Sequence, residues 1–133
     1  MILAILQARY SSSRLPMKVL KPILNKPMLL HQVERLRHST LIDKIVVATS
    51  IDCSDDIIEK MCLDNKIEIF RGDLDDVLDR FYQCAKLYSP EYIVRLTGDC
   101  PLADWQVIDE MIQCCLEGNF DYVETSLKFP DGL

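Results

Sequence analysis

The sequence predicts a doubly wound α/β domain, a mostly parallel sheet in a three-layer αβα sandwich, folded as one unit over residues 1–133. Three observations predict it. Short apolar runs alternate with helical patterns along the chain. The runs at the start and at Ile45-Val46-Val47-Ala48 are continuous rather than alternating, as in strands covered on both faces. The 133 residues, 49% hydrophobic and 27% charged, have an ordinary globular composition and are enough to bury a core.

Taken in order, Ile2–Leu6 reads as a buried strand. It is too short for a membrane span and has no basic flank before it, so it does not read as a signal peptide. Met28–His38 is an amphipathic helix, with Leu29, Val33 and Leu36 at spacings of four and three. Ile45–Thr49 is the second strand. Ser54 is placed to cap a helix through Leu63 that buries Ile57, Ile58 and Met61. Ile67–Phe70 is the third strand. Asp73 is placed to cap the next helix, with Asp76 at its third position and Val77, Leu78, Phe81 and Ala85 inward. Tyr92–Leu96 is the fourth strand. A helix capped by Asp104 then turns Val107, Ile108, Met111, Ile112 and Cys115 inward, and Tyr122–Glu124 is a fifth, weaker strand. No repeat, low-complexity tract or linker interrupts this alternation.

The net charge is -6, so no global field draws the chain to nucleic acid or an anionic membrane. An anionic ligand would need a local basic cluster. The six cysteines show no two-residue gap of a zinc or redox motif and read as reduced thiols of a cytoplasmic protein. His31 and His38 read as surface residues, and Trp105 as a packing residue.

In a doubly wound sheet, ligands bind outside the carboxyl ends of the strands. The loop after the first strand, Gln7 to Lys18, carries Arg9, Arg14 and Lys18 with Ser11, Ser12 and Ser13. It contains no glycine, so a phosphate would be held by side chains rather than by a cradle of backbone amides. Arg9 and Arg14 offer forked bonds to phosphate oxygens, Lys18 a point charge and the serines hydroxyl donors. The loop after the fourth strand holds Thr97-Gly98-Asp99-Cys100-Pro101. Asp99 could hold a magnesium ion that bridges phosphates, or could simply shape the turn. The cluster Arg71 to Arg80 contains good helix-start aspartates. Capping explains Asp79 and Arg80 less easily, and Arg71 is a candidate contact to a base or sugar.

Leu6-Gln7-Ala8-Arg9, Ser12-x-Arg14-Leu15-Pro16-x-Lys18-Val19-Leu20, Ile45–Ser50, Arg71-Gly72 with Asp76–Arg80, Arg95–Leu102 and Phe129–Leu133 follow one another along the chain. In this order they resemble the cytidylyltransferase family, which includes acylneuraminate and 3-deoxy-manno-octulosonate cytidylyltransferases, and within it the spore coat polysaccharide biosynthesis protein F group. The resemblance implies a Rossmann-like fold of the nucleotide-diphospho-sugar transferase type. It implies magnesium-dependent transfer of CMP from CTP to a sugar or sugar acid for surface or spore-coat polysaccharide. Carried over, Arg14, Lys18 and Asp99 are the candidate catalytic groups, with Asp99 on the metal. Gln7, Ala8, Arg9, Ser12, Arg14, Lys18, Arg71, Asp79 and Arg80 are the candidate nucleotide and substrate contacts: Arg9, Arg14 and Lys18 on the triphosphate, Arg71 near the base, Asp79 and Arg80 on the sugar side. Partners are then small molecules, without nucleic acid or membrane, with a homodimer possible.

Two departures stand out. The group usually carries glycine where Ser11 and Met17 stand here, and its chains run on well beyond residue 133, so the domain looks truncated at its C-terminus. Two other functions fit the same sheet: a glycosyltransferase-like protein that uses a finished nucleotide sugar, and a non-catalytic nucleotide-binding module.

Overall fold

The computed structural model describes residues 1–11 and 14–125. Four strands form one parallel sheet: β1 (Ile2–Gln7), β4 (Lys44–Ser50), β5 (Glu68–Gly72) and β6 (Tyr92–Thr97), in the order β5-β4-β1-β6. Two-residue strands β2 (Pro22–Ile23) and β3 (Lys26–Pro27) form a separate antiparallel hairpin. The helices are α1 (Met28–Leu36), α2 (Asp56–Asp64), α3 (Val77–Tyr88) and α4 (Trp105–Gly118).

The central strands β1 and β4 are buried on both faces, as their continuous apolar runs require. On one face Leu6 and Val47 pack with Leu29, Val33 and Leu36 of α1, Ile58 and Cys62 of α2, and Ile108 and Ile112 of α4. On the other, Leu3, Ile5, Val46 and Ala48 meet Phe81 and Cys84 of α3. The result is the three-layer αβα sandwich, with, among the described residues, three helices on one face and one on the other. Burial pushes the Cys62 thiol up to about 12 and the Cys84 thiol up to about 11, so both behave as small apolar side chains. No described helix is long and apolar enough to cross a membrane.

The strand order places a topological switch between β1 and β6. From β1 the chain winds outward through β4 to β5, then returns across the sheet to β6 on the other side of β1. The crevice at such a switch is where open α/β sheets bind ligands.

Several expectations are corrected. Tyr122–Glu124 forms no strand. Ser54 does not cap α2. Asp52 accepts from the Ser54 amide and caps a short 3-10 turn ahead of that helix. Asp73 does not cap α3 but folds the preceding turn by accepting from the amides of Asp75 and Asp76, and Asp76 is the cap, accepting from Asp79. With the cap three residues later than expected, Leu78 turns outward and is 79% exposed. Ile57 is also exposed. The β2–β3 hairpin escapes a periodicity argument because two-residue strands have no period to read.

Candidate functional site

The loops at the carboxyl ends of β1, β4, β5 and β6 are tied to one another by backbone bonds. The Ala8 amide donates to Ala48 at 3.0 Å, Gly98 to Gln7 at 2.7 Å and Ile51 to Gly72 at 2.9 Å. Gly98 is required at that approach, because a Cβ there would stand 2.8 Å from the Gln7 carbonyl oxygen. Gln7 and Ala8 therefore act through their backbone as the junction of β4, β1 and β6, and Ala8 is buried.

At the switch between β1 and β6, Lys18 Nζ lies 3.2 Å from Asp99 Oδ2. Lys18 reaches it from a one-turn 3-10 helix, Lys18–Leu20, that Met17 introduces. Met17 has φ 61°, the left-handed conformation that glycine adopts without strain. The bulkier residue keeps a glycine-type turn, anchored by its amide on the Tyr10 carbonyl at 2.9 Å. Partial burial raises the Asp99 carboxyl. Hydrogen bonds from Thr97 and Lys18, with the Lys18 charge, outweigh that and hold it below the ordinary carboxylate range. Two of the three candidate catalytic groups, 81 residues apart in the sequence, thus form one ion pair at the switch point. Arg14 is exposed and makes no hydrogen bond or ion pair among the described residues. Ser12 lies outside the described residues.

A second basic cluster lies toward β5. Arg9 Nη1 and Arg80 Nη2 both donate to the Leu74 carbonyl, at 3.3 and 3.2 Å. Arg80 is fully buried, yet its Nε and Nη1 have no partner among the described residues. Burial first, and then the neighbouring Arg9 charge, lower its pKa. Gly72 makes room for it, since a Cβ at that position would stand 2.9 Å from Arg80 Cγ. Asp79, one residue earlier on α3, accepts from Gln83 at 3.0 Å.

Arg71 is more heavily committed than a free base contact. Its guanidinium donates to Glu59 and Asp56 at 2.7 Å, and to the carbonyls of Ser50 and Asp52 at 2.8 and 2.9 Å. In this state it ties the end of β5 to the start of α2. The sequence reading missed Asp55. This buried carboxylate accepts from the Tyr10 amide at 2.6 Å, the Ser50 amide at 3.1 Å and the Ser50 hydroxyl, clamping the loop after β1 to the end of β4. The signal for it was weak, because an aspartate before a helix reads first as a cap.

Among the described residues no cluster of three or more His, Cys, Asp and Glu is placed to hold a metal. A single carboxylate at a phosphate-binding loop still fits magnesium, which usually takes one or two protein carboxylates and fills its shell with phosphate oxygens and water. Asp99, beside the β1–β6 switch point, offers one such carboxylate. A cation, the Lys18 ammonium, already sits against it.

The sequence matches the cytidylyltransferase family over residues 3–129. It is 42% identical over 125 residues to the spore coat polysaccharide biosynthesis protein SpsF of Bacillus subtilis, covering 91% of this chain and 52% of that one. It is 35% identical over 111 residues to 3-deoxy-manno-octulosonate cytidylyltransferase of Geobacter sulfurreducens, covering 84% and 44%. A cytidylyltransferase structure from Leptospira borgpetersenii superposes with a TM-score of 0.83 at 37% identity, over 87% of this chain and 49% of that one. The chain spans about half the length of the relatives it matches.

Proposed function

We propose a function from one premise: the chain belongs to the cytidylyltransferase family. We infer that it carries the nucleotide-binding half of an enzyme that transfers CMP from CTP to a hydroxyl of a sugar or sugar acid. The hydroxyl oxygen bonds to the α-phosphorus, the α–β bridging bond breaks, pyrophosphate leaves with the electron pair, and the hydroxyl proton passes to solvent. The relative from Bacillus subtilis suggests a product used for surface or spore-coat polysaccharide, made in the cytoplasm where CTP is available.

The carrying observation is the Lys18–Asp99 pair at the β1–β6 switch point. Transfer of this kind is mainly positioning and charge neutralisation, which a cation beside a metal-binding carboxylate supplies. Magnesium bound by Asp99 would neutralise phosphate charge and orient the leaving group. Lys18 would turn from Asp99 to a phosphate oxygen, and Arg9 and Arg14 would grip the remaining oxygens bidentately. Gln7, Ala8 and Ser12 would line the nucleotide, with Ser12 donating a hydroxyl. Arg71 would leave its carboxylates to approach the base, while Asp79 and Arg80 would face the sugar side.

Calorimetric titration of CTP, ATP, GTP and UTP, with and without magnesium, tests the reading. The expected result is saturable CTP binding that needs magnesium and is lost in Lys18→Ala and Asp99→Ala. Folded chain that binds none of the four nucleotides would overturn it. Preference for a nucleoside diphosphate sugar would favour the glycosyltransferase-like alternative.

A further inference from the structure

Asp55 stands at the N-cap of α2 and does not cap it. A carboxylate in that place ordinarily accepts from the first free amides of its own helix. This one turns back instead and uses both oxygens elsewhere. Oδ1 accepts from the Tyr10 amide at 2.6 Å, and Oδ2 from the Ser50 amide at 3.1 Å and the Ser50 hydroxyl. Asp55 is fully buried, and no ion pair among the described residues involves it. A carboxylate buried without an ion partner is costly to the fold. A residue that forgoes its local role at such a cost marks a place where the fold serves more than its own stability.

The residue it holds is the neck of a loop. The Tyr10 amide is bound by Asp55, and the Tyr10 carbonyl accepts from the Met17 amide at 2.9 Å. Tyr10 and Met17 thus join the two ends of the loop after β1, and Asp55 pins that junction to the end of β4. Arg9 immediately precedes the neck, and Lys18, in the 3-10 turn that Met17 introduces, immediately follows it. Without a glycine cradle, a phosphate here depends on where these side chains stand. Asp56, the next residue along, accepts from Arg71 at 2.7 Å, so the same turn also fastens the end of β5.

We propose that Asp55 is a positioning residue for nucleotide binding. It touches no nucleotide and sets, through Tyr10, where Arg9 and Lys18 stand to meet the phosphates. The role rests on the nucleotide-binding reading above. The residue type follows from the donors around it. The Tyr10 amide, the Ser50 amide and the Ser50 hydroxyl all donate, so both oxygens must accept. Asparagine, with one oxygen, could serve only one of the two amides, and serine could not span them. Only a carboxylate holds the loop and the strand end together.

Three altered chains test this. Asp55→Ala removes the clamp. Replacing Tyr10 by its α-hydroxy acid turns the one amide N–H into an ester oxygen and leaves the carboxylate with Ser50, so it tests the same link if Asp55→Ala does not fold. Ser50→Ala is the control, because it costs stability without touching the Tyr10 bond. Calorimetric titration with CTP and magnesium should show affinity lowered about tenfold or more in the first two, since a bond to a charged acceptor is lost and only the fastened loop binds. Ser50→Ala should stay within about twofold of wild type although its unfolding midpoint also falls. Without nucleotide, the Met17 amide should exchange about tenfold faster relative to Val46 and Val47 in the first two chains only. Wild-type chain that binds no nucleotide overturns the nucleotide-binding reading. CTP bound equally well by wild type and the Tyr10 ester overturns the positioning role alone, as does a Ser50→Ala chain weakened as much as the ester, or a Met17 amide that the ester does not quicken.

Discussion

Single residues set the shape of the loops at the carboxyl ends of the strands, and two of them do so against their own preference or at a limit of space. Met17 holds φ 61° without the freedom glycine has there. The left-handed conformation costs a non-glycine residue about 1–2 kcal/mol, while glycine adds back about 0.4–1 kcal/mol of unfolded-state entropy. The first effect wins, and little packing is lost because Met17 is exposed. Met17→Gly is therefore expected to stabilise the chain by about 0.5–1 kcal/mol, read as a shift in urea midpoint with unchanged slope. Gly98 is the opposite case. A methyl group there meets the Gln7 carbonyl at 2.8 Å, the Ala8 Cβ at 3.2 Å and Leu29 at 3.3 Å. None of these can swing away as the end of a long side chain could. Gly98→Ala should destabilise by about 1–3 kcal/mol in the same urea experiment, through overpacking at the base of the Asp99 loop.

Elements are joined by carboxylates as much as by apolar contacts. Asp109 on α4 accepts from the Ser39 hydroxyl, the Thr40 amide at 2.9 Å and the Thr40 hydroxyl at 3.0 Å, fastening α4 to the turn after α1. Burial raises its carboxyl, but the bonds from Ser39 and Thr40 prevail and its pKa is lowered. A lowered folded pKa means stability that is present above the unfolded value and lost as pH falls through the folded one. Asp109→Asn should lower stability by about 1–2 kcal/mol at neutral pH and flatten the acid limb below about pH 4, as followed by circular dichroism. The sequence was legible where side-chain period and strand continuity decide the outcome. β1, β4, β5, β6 and all four helices lie where those patterns place them. It was less legible where competing carboxylates decide a boundary. Asp73 and Asp76 are equally good caps by type, and only the turn folded by Asp73 gives the helix to Asp76. Asp55, which precedes a helix and so has the residue type of a cap, is the buried clamp between two loops. Lys18 and Asp99 were each readable as candidates, but their pairing across 81 positions depends on β1 and β6 being neighbours.

At the scale of the whole molecule, the β5 side of the site stores an electrostatic conflict that the rest of the fold must support. Arg80 is fully buried with two nitrogens unpartnered, and Arg9 donates to the same Leu74 carbonyl. No described ion pair relieves Arg80. Replacing a poorly compensated buried charge by an apolar side chain of similar length is often stabilising, by about 1–4 kcal/mol. The unliganded chain should therefore gain stability in Arg80→Met, although a large side chain at the centre of a buried contact has been changed. The same substitution should remove part of what a polyanion can stabilise. A ligand at 100 times its Kd adds about 2.7 kcal/mol to a protein that binds it only when folded. For a chain of this size that is a rise of about 10 °C in the unfolding midpoint. Scanning calorimetry of wild type and Arg80→Met, each with and without saturating CTP and magnesium, separates the two effects. The expected pattern is a higher midpoint for the free variant and a smaller ligand-induced rise at equal CTP concentration. A variant that is less stable when free would mean that Arg80 holds the fold through its packing against Gly72. A variant with an undiminished ligand shift would remove Arg80 from the binding surface and leave Arg9, Arg14 and Lys18 to carry the phosphate charge.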